Sequence, residues 1–394
     1  MQNNVYSKWN SSYKRKRSIK HPSLVYESEN MASVSLPVIN TKLLLKTNSK
    51  ESSHYISDVQ TEAIAYAINS IESDNSINNC KRGFFLGDGT GVGKSRTISG
   101  ILTELWLRNH KEYRALWISI NKNLAHDAKK EFDIIREIGN NTPEWLNMSD
   151  ILYETKNKTT KKYDYKNPKN GVLYTTYGSL LNDVTYNNIF RWLNDSDNVT
   201  IVFDEAHTAK SISSKKAVVT LNLQKNLNNP RIIYSTATAA SDISQMHYMN
   251  KLGLWSDHKS FVKLLEKYGP LAMEMCALQL KHSGKLVSRQ LGFDGVKIYF
   301  KTYNLNKEEE TYYDKLTSIW SESDNIINSF DKINFYQYLI THFKLKKCIE
   351  EIYLSIKNGE SVIVGLQNTG ESSYKRSNKT ILEDLLDKYD LTNK

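Results

Sequence analysis

The sequence predicts an α/β fold built around a mostly parallel sheet, and three observations carry that reading. Short runs rich in β-branched and aromatic residues at 83–86, 115–120, 171–175, 200–203 and 231–234 alternate with stretches of helical periodicity. Strands separated by enough chain for a helix pair in parallel, and such a sheet is covered by helices on both faces. Each chemically suggestive motif directly follows one of these runs, the edge at which open parallel sheets hold ligands.

Taken in order, residues 1–50 show no long periodic pattern and read as an extended leader. From Ser57 the apolar positions Val59, Ala63, Ala67 and Ile71 recur at helical spacing, with Ile64 and Ile68 beside them. Ser57 and Gln60, three residues apart, form a capping-box signature at the start of that helix. The five strand candidates follow and define an expected domain over 51–255. Beyond Leu254 the pattern turns helical and less regular, an expected connector over 256–335. A helical segment at 336–357 then leads to an apolar run at 361–366, which reads as the first strand of a second α/β unit within 336–394.

With 394 residues the chain is long enough for two domains, each with its own core. A hydrophobic share of 39% and a charged share of 24% suit a globular protein. No apolar run approaches the ~18 residues of a membrane span, and residues 1–20 are polar and basic rather than signal-like. An intracellular protein without a membrane partner is expected. Cys80, Cys276 and Cys348 lie too far apart for a compact metal-ligand spacing and are odd in number, so reduced structural thiols are the default.

The net charge of +10 is unevenly placed. Lys8, Lys14, Arg15, Lys16, Arg17 and Lys20 crowd the leader without an acid among them. Lys156, Lys158, Lys161, Lys162, Lys166 and Lys169 face only Asp164 in a second segment, and the remainder is close to neutral. Either segment suits contact with nucleic-acid phosphates, a localisation signal, or plain solvated charge.

The first motif runs Gly87-Asp88-Gly89-Thr90-Gly91-Val92-Gly93-Lys94-Ser95 after the run at 83–86. Strand, glycine-rich turn and helix start stand in the order a phosphate-binding loop demands. Glycines let the backbone wrap around phosphate oxygens, and the helix presents its positive N-terminal end. Lys94 would meet the β- and γ-phosphates of ATP, and Ser95 would offer a hydroxyl to Mg²⁺. Gly89, Thr90, Gly91, Val92, Gly93, Lys94, Ser95 and Arg96 are the candidate nucleotide contacts. Asp88 departs from the motif by standing where its first glycine belongs.

The second motif is Asp204-Glu205-Ala206-His207, at the end of the apolar run 200–203. Two adjacent carboxylates at a buried strand end are costly unless a cation or donors meet them. Paired with the phosphate loop, they point to Asp204 as a Mg²⁺ ligand and Glu205 as the group that orients the attacking water. The lysine-bearing turn and the two acids are expected to converge from adjacent strand tips.

These residues resemble the strawberry notch family of helicase superfamily two. The resemblance runs collinearly over roughly residues 20–375, through His21-Pro22, Ser33-Val34, 60–67, 87–100, 115–117, 203–210 and 234–239. Leu252-Gly253-Leu254-Trp255, Ser288-Arg289-Gln290-Leu291 and the stretch 364–371 look like the family's own signatures. It implies a two-lobed RecA-like ATPase core with ATP and Mg²⁺ as ligands, and nucleic acid, DNA rather than RNA, as partner. It also implies that His207 links the hydrolytic centre to Ser235, Thr236, Ala237 and Thr238, and that Gln60 contacts the adenine, although the capping box explains Gln60 equally well. Residues 121–128 and 175–180 fall where such motors touch a nucleic-acid backbone, or they are simply two capped turns.

The family's second lobe carries an arginine finger, worth ~10³–10⁵ in rate in related systems, and no counterpart stands in this sequence. Slow or absent turnover is therefore expected unless a second polypeptide supplies that lobe. Abundant Asn, Lys, Ile and Tyr fit an AT-rich genome such as that of a large DNA virus. The leading expectation is an ATP-dependent motor or remodelling subunit. The alternative is a degenerate helicase acting as a nucleotide- or nucleic-acid-binding scaffold in transcription.

Overall fold

The computed structural model describes residues 5–13, 15, 19–48, 54–72, 83–151, 155–156, 163–164, 168–209, 214–237, 248–255, 257–292, 296–322 and 329–366. Two compact units divide the chain, one over 1–294 and one over 295–394.

The first unit begins with strands β1 (Tyr6–Lys8) and β2 (Val25–Ser28), a short helix α1 (Glu29–Ala32) and helix α2 (Asp58–Glu72). Strand β3 (Gly83–Leu86), helix α3 (Lys94–Arg108), strand β4 (Arg114–Ser119), helix α4 (Leu124–Glu137) and strand β5 (Trp145–Leu146) come next. A small hairpin, β6 (Thr155–Lys156) and β7 (Tyr163–Asp164), falls in the lysine-rich segment. The chain continues through β8 (Gly171–Thr176), α5 (Asp183–Asn194), β9 (Val199–Asp204), α6 (Lys215–Asn226) and β10 (Arg231–Ser235). Helix α7 (His258–His282), kinked at Gly269-Pro270, and strands β11 (Leu286–Val287) and β12 (Gln290–Leu291) complete the unit.

The expected fold class holds. Seven strands pair in the order β11-β3-β10-β9-β4-β8-β5, and every pairing is parallel. All five strands expected from the sequence are present within a residue of their expected ends. Alternating side chains feed two cores. Phe84, Leu86, Trp117, Val202 and Ile233 point to the face covered by α2, α3 and α4, while Phe85, Leu116, Ile118, Phe203 and Tyr234 point to the face of α5, α6 and α7.

Two features were not legible as regular structure. The leader contributes β1, β2 and α1; β1 and β2 join β12 in an antiparallel sheet, and Leu36 and Leu45 are buried in the core. Strand β11 lies beyond the regular pattern yet pairs with β3, so the expected boundary near residue 255 falls inside this unit. Two-residue strands carry no readable periodicity, and only a neighbour's hydrogen bonds make them strands.

In the second unit, helix α8 (Lys307–Glu322) precedes helix α9 (Ser329–Lys357), longer than the helical segment expected from 336. The apolar run at 361–366 forms no strand, and Ile363 is almost fully exposed. This corrects the expected first strand of a second sheet. A β-prone run becomes a strand only where a partner takes its backbone hydrogen bonds, and among the described residues none does. Residues 367–371 of the family-like stretch, Lys210, Thr238 and much of both basic segments lie outside the described residues.

Candidate functional site

Strand β3 delivers the phosphate loop at its C-terminal tip, and α3 starts at Lys94. Gly91 and Gly93 hold φ of 87° and 92°, the left-handed region in which a side chain is strained. No side-chain hydrogen bond caps the start of α3 at Gly93. Gln60 supports the loop from below. Its Oε1 accepts from the backbone N–H of Ser57 at 3.0 Å and its Nε2 donates to the carbonyl of Val92 at 3.2 Å. The capping-box bond is thus made, and the other end of the amide grips the loop.

Asp88, the residue that breaks the motif, is completely buried. Its carboxylate takes a two-pronged bond from Arg289, with Nε to Oδ1 at 2.9 Å and Nη2 to Oδ2 at 2.7 Å, and accepts the Arg289 backbone N–H at 3.0 Å. Burial alone would pull the Arg289 pKa down, but the charge and hydrogen bonds of Asp88, with Glu62 behind, raise it. The backbone N–H groups of Gly87 and Gly89 donate to the carbonyls of Val287 at 2.8 Å and Arg289 at 2.6 Å.

The acids come from β9, and the strand order places β10 between β3 and β9. This corrects the expectation of adjacent tips: the loop and the acids stand two strands apart, with Ser235 on the strand between. Asp204 is held from both sides, by Ser119 Oγ to Oδ2 at 3.1 Å and Ser235 Oγ to Oδ1 at 3.0 Å. Ser235 is in register with Asp204, and Ser119 follows Ile118, which is in register with Phe203. The Tyr177 hydroxyl donates to the Asp204 carbonyl at 3.0 Å, and burial raises the pKa of Tyr177. Glu205 adopts φ 46°, an unusual conformation for a side-chain-bearing residue. His207 Nδ1 lies 3.0 Å from Thr236 Oγ1 and 3.3 Å from Glu205 Oε2, so the histidine bridges the acid and the turn after β10.

One cleft of about 520 Å³ gathers Gln60, Thr90, Gly91, Val92, Gly93, Lys94, Ser95, Arg96, Asp204 and Glu205 on its walls. Gly89 does not line it. Arg96 does, but its guanidinium is engaged by Glu131 at 2.6 Å and by the Tyr55 carbonyl at 3.2 Å. Leu124, Asp127 and Ala128, from the stretch expected to reach nucleic acid, also line this cleft. Ala237 follows Thr236 on the turn, and Thr238 lies outside the described residues. Sequence reasoning missed Ser119, Tyr177, Glu62 as a partner, and the role of Arg289. The available signals were the stretch Ser288-Arg289-Gln290-Leu291, which marked Arg289 without a role, and the stretch 175–180, which held Tyr177 as a nucleic-acid contact. Nothing in the sequence marked Ser119, whose strand becomes a neighbour of the acid strand only in the fold.

The donor set fits a nucleotide-borne divalent cation. Each Asp204 oxygen accepts one hydroxyl and retains a lone pair, and the Ser95 hydroxyl shares the cleft. Among the described residues no group of three or more His, Cys, Asp or Glu side chains could hold a metal alone.

A parallel sheet with a glycine-rich phosphate loop and an acidic pair at its carboxyl edge defines a P-loop nucleoside triphosphatase fold. Residues 20–315 match the model of the P-loop containing NTP hydrolase pore-1 family, and the chain belongs to that family. It is 30% identical to human protein strawberry notch homolog 1 over 400 residues, covering 91% of this chain and 28% of that protein. It is 31% identical to Drosophila melanogaster protein strawberry notch over 396 residues, covering 90% of this chain and 23% of that protein. The resemblance expected from the sequence is borne out, and the chain spans about a quarter of the length of these relatives. Among solved structures, a Sulfolobus solfataricus SWI2/SNF2 ATPase core in complex with dsDNA matches 77% of this chain and 59% of that chain, at 17% identity and a TM-score of 0.41.

Proposed function

We propose that this chain binds Mg²⁺-ATP between Lys94 and the Asp204–Glu205 pair, and that it serves as the ATPase part of a helicase-like nucleic-acid motor. The observation that carries the reading is the single cleft whose walls hold Thr90 through Ser95 on one side and both carboxylates on the other. In this reading Lys94 and the first N–H groups of α3 bind the phosphates, Ser95 and Asp204 hold the cation, and Glu205 orients the water for attack on the terminal phosphorus. A bound Mg²⁺ would neutralise the phosphate oxygens and stabilise charge on the leaving group. His207 would transmit the state of the site to Thr236 and the turn after β10.

Support for nucleic acid is the concentration of positive charge in two segments of an otherwise near-neutral chain; the preference for DNA over RNA is proposed from the family resemblance alone. Full turnover would draw an arginine from a second lobe, on this polypeptide's continuation or on a second one. The division into nucleotide domain, connector and second lobe is part of the same proposal. A scaffold that binds ATP without cleaving it, in a transcription complex, is the other reading.

Titration with Mg²⁺-ATP tests the site. Wild-type protein should bind, and Lys94→Ala should lose at least tenfold in affinity; equal affinity would remove the assignment. Single-turnover hydrolysis separates motor from scaffold, because a scaffold leaves ATP intact at any protein concentration. Binding to duplex DNA should weaken steeply between 50 and 200 mM salt, as phosphate contacts require.

Among the described residues no helix is long and apolar enough to cross a membrane.

A further inference from the structure

A conventional phosphate loop has glycine where Asp88 stands. A buried aspartate at that position would be costly alone, so what surrounds it is informative. Arg289 clasps it through two side-chain bonds, and the same guanidinium reaches the Val59 carbonyl at 2.9 Å and Glu62 at 3.3 Å. Glu62 is itself fully buried and receives the leader, from the Trp9 indole N–H at 3.1 Å, Ser11 Oγ at 3.1 Å, and the backbone N–H groups of Ser12 at 2.6 Å and Tyr13 at 3.2 Å. The Arg289 guanidinium lies over the Trp9 ring, 5.5 Å from its centre.

An apolar contact runs in parallel with this polar chain. Trp9 and Leu291 pack with Val25, Val59 and Val92, and Val92 is a residue of the loop itself. Backbone bonds from Gly87 and Gly89 to Val287 and Arg289 spend two loop donors on the protein rather than on phosphate. A side chain at Gly91 would come within 2.6 Å of Leu291. The loop is therefore backed on its protein side by residues 286–291 and by the leader, elements that come from opposite ends of the first unit.

We propose that Arg289 is a positioning residue for the phosphate loop, and that the leader around Trp9 completes the brace, so that nucleotide affinity depends on the leader being docked. This rests on the reading of the cleft as an ATP site. Arg289 touches no nucleotide. It fixes Asp88, and through Asp88 and the Gly87 and Gly89 amides it holds the loop in the conformation that presents Lys94. The leader acts through Glu62 and Val92. Loss of its contacts leaves Arg289 more mobile and Glu62 short of donors, and the loop loosens.

The test uses the full chain with Arg289→Lys, which keeps the charge but not the two-pronged geometry, and Trp9→Ala, which keeps Asp88, Arg289 and Glu62 but removes the indole bond to Glu62 and the ring beneath the guanidinium. Two readouts are taken, affinity for Mg²⁺-ATP by calorimetry and amide hydrogen exchange in nucleotide-free protein. Arg289→Lys should weaken ATP about tenfold, the worth of one charge-assisted hydrogen bond, and Trp9→Ala about threefold. Faster exchange should be confined to residues 87–93 and their contacts. Exchange that rises evenly over the whole sheet would reveal general destabilisation and overturn the proposal, as would unchanged affinity in both variants beside a wild type that binds. If the wild type binds no ATP, the cleft reading fails, while exchange at Gly87 and Gly89 still decides the brace.

Discussion

Substituting Gly93 by alanine probes the geometry of the loop most directly. At φ 92° an added Cβ is strained by about 1–2 kcal/mol, and it would overlap Nε2 of Gln60. That amide ends a flexible side chain and can swing away, but in doing so it abandons the bonds to Val92 and Ser57, each about 1 kcal/mol net. Gly93→Ala should therefore destabilise the first unit by about 3–4 kcal/mol, and Gln60→Ala by about 2 kcal/mol through the same two bonds. In the double variant those bonds are already gone and the new Cβ has room. Its loss should match Gly93→Ala alone, leaving a coupling of about 2 kcal/mol in the cycle. Urea unfolding followed by circular dichroism measures all four proteins. Additivity within about 0.5 kcal/mol would refute the reasoning, because it would mean that Gln60 does not occupy the space beneath Gly93.

Ser119→Ala and Ser235→Ala each remove one hydroxyl from Asp204. Mg²⁺-dependent nucleotide affinity should fall about five- to tenfold in each, with binding in excess EDTA unaffected; an equal loss without the cation would mean that the hydroxyls serve only the fold. His207→Ala and Thr236→Val should leave ATP affinity within about twofold and, once the second lobe is supplied, reduce nucleic-acid stimulation of hydrolysis, a split that binding titration and steady-state kinetics of the reconstituted pair with and without DNA can read. Burial raises Tyr66 and Tyr174 to about 12, and raises Tyr177 and Tyr234 as well. A phenol whose pKa is higher in the folded state stabilises fully below its unfolded value near 10, and the contribution fades as pH rises toward the folded value. The melting temperature should hold from pH 8 to about 10 and fall above it, and a flat profile to pH 11.5 would contradict the burial of these rings.

The strands and the loop were readable because their causes are local. Apolar β-branched runs must be buried, glycines at 91 and 93 permit a turn that other residues resist, and a lysine and serine follow at the helix start. The acid pair was readable for a similar reason, since two carboxylates after a buried strand require a partner. Asp88 shows the opposite case. In sequence it is a blemish in a motif, and only its ion pair with a residue 201 positions away explains it. The leader looked featureless because its strands are three and four residues long and its anchors, Trp9 onto Glu62 and Glu27 onto Lys281, are long-range contacts.

What the sequence determined by itself was the chemistry: which residues could hold a triphosphate and a cation, and that each stands at the end of a parallel strand. Tertiary structure decided the arrangement. It set β10 between loop and acids, brought Ser119 and Ser235 to opposite sides of Asp204, and seated β11, β12 and the leader behind the loop. The physical reason is range. Periodicity and turn chemistry act over a few residues, whereas strand order and buried ion pairs are settled by which distant surfaces leave no apolar group in water and no buried charge without a partner.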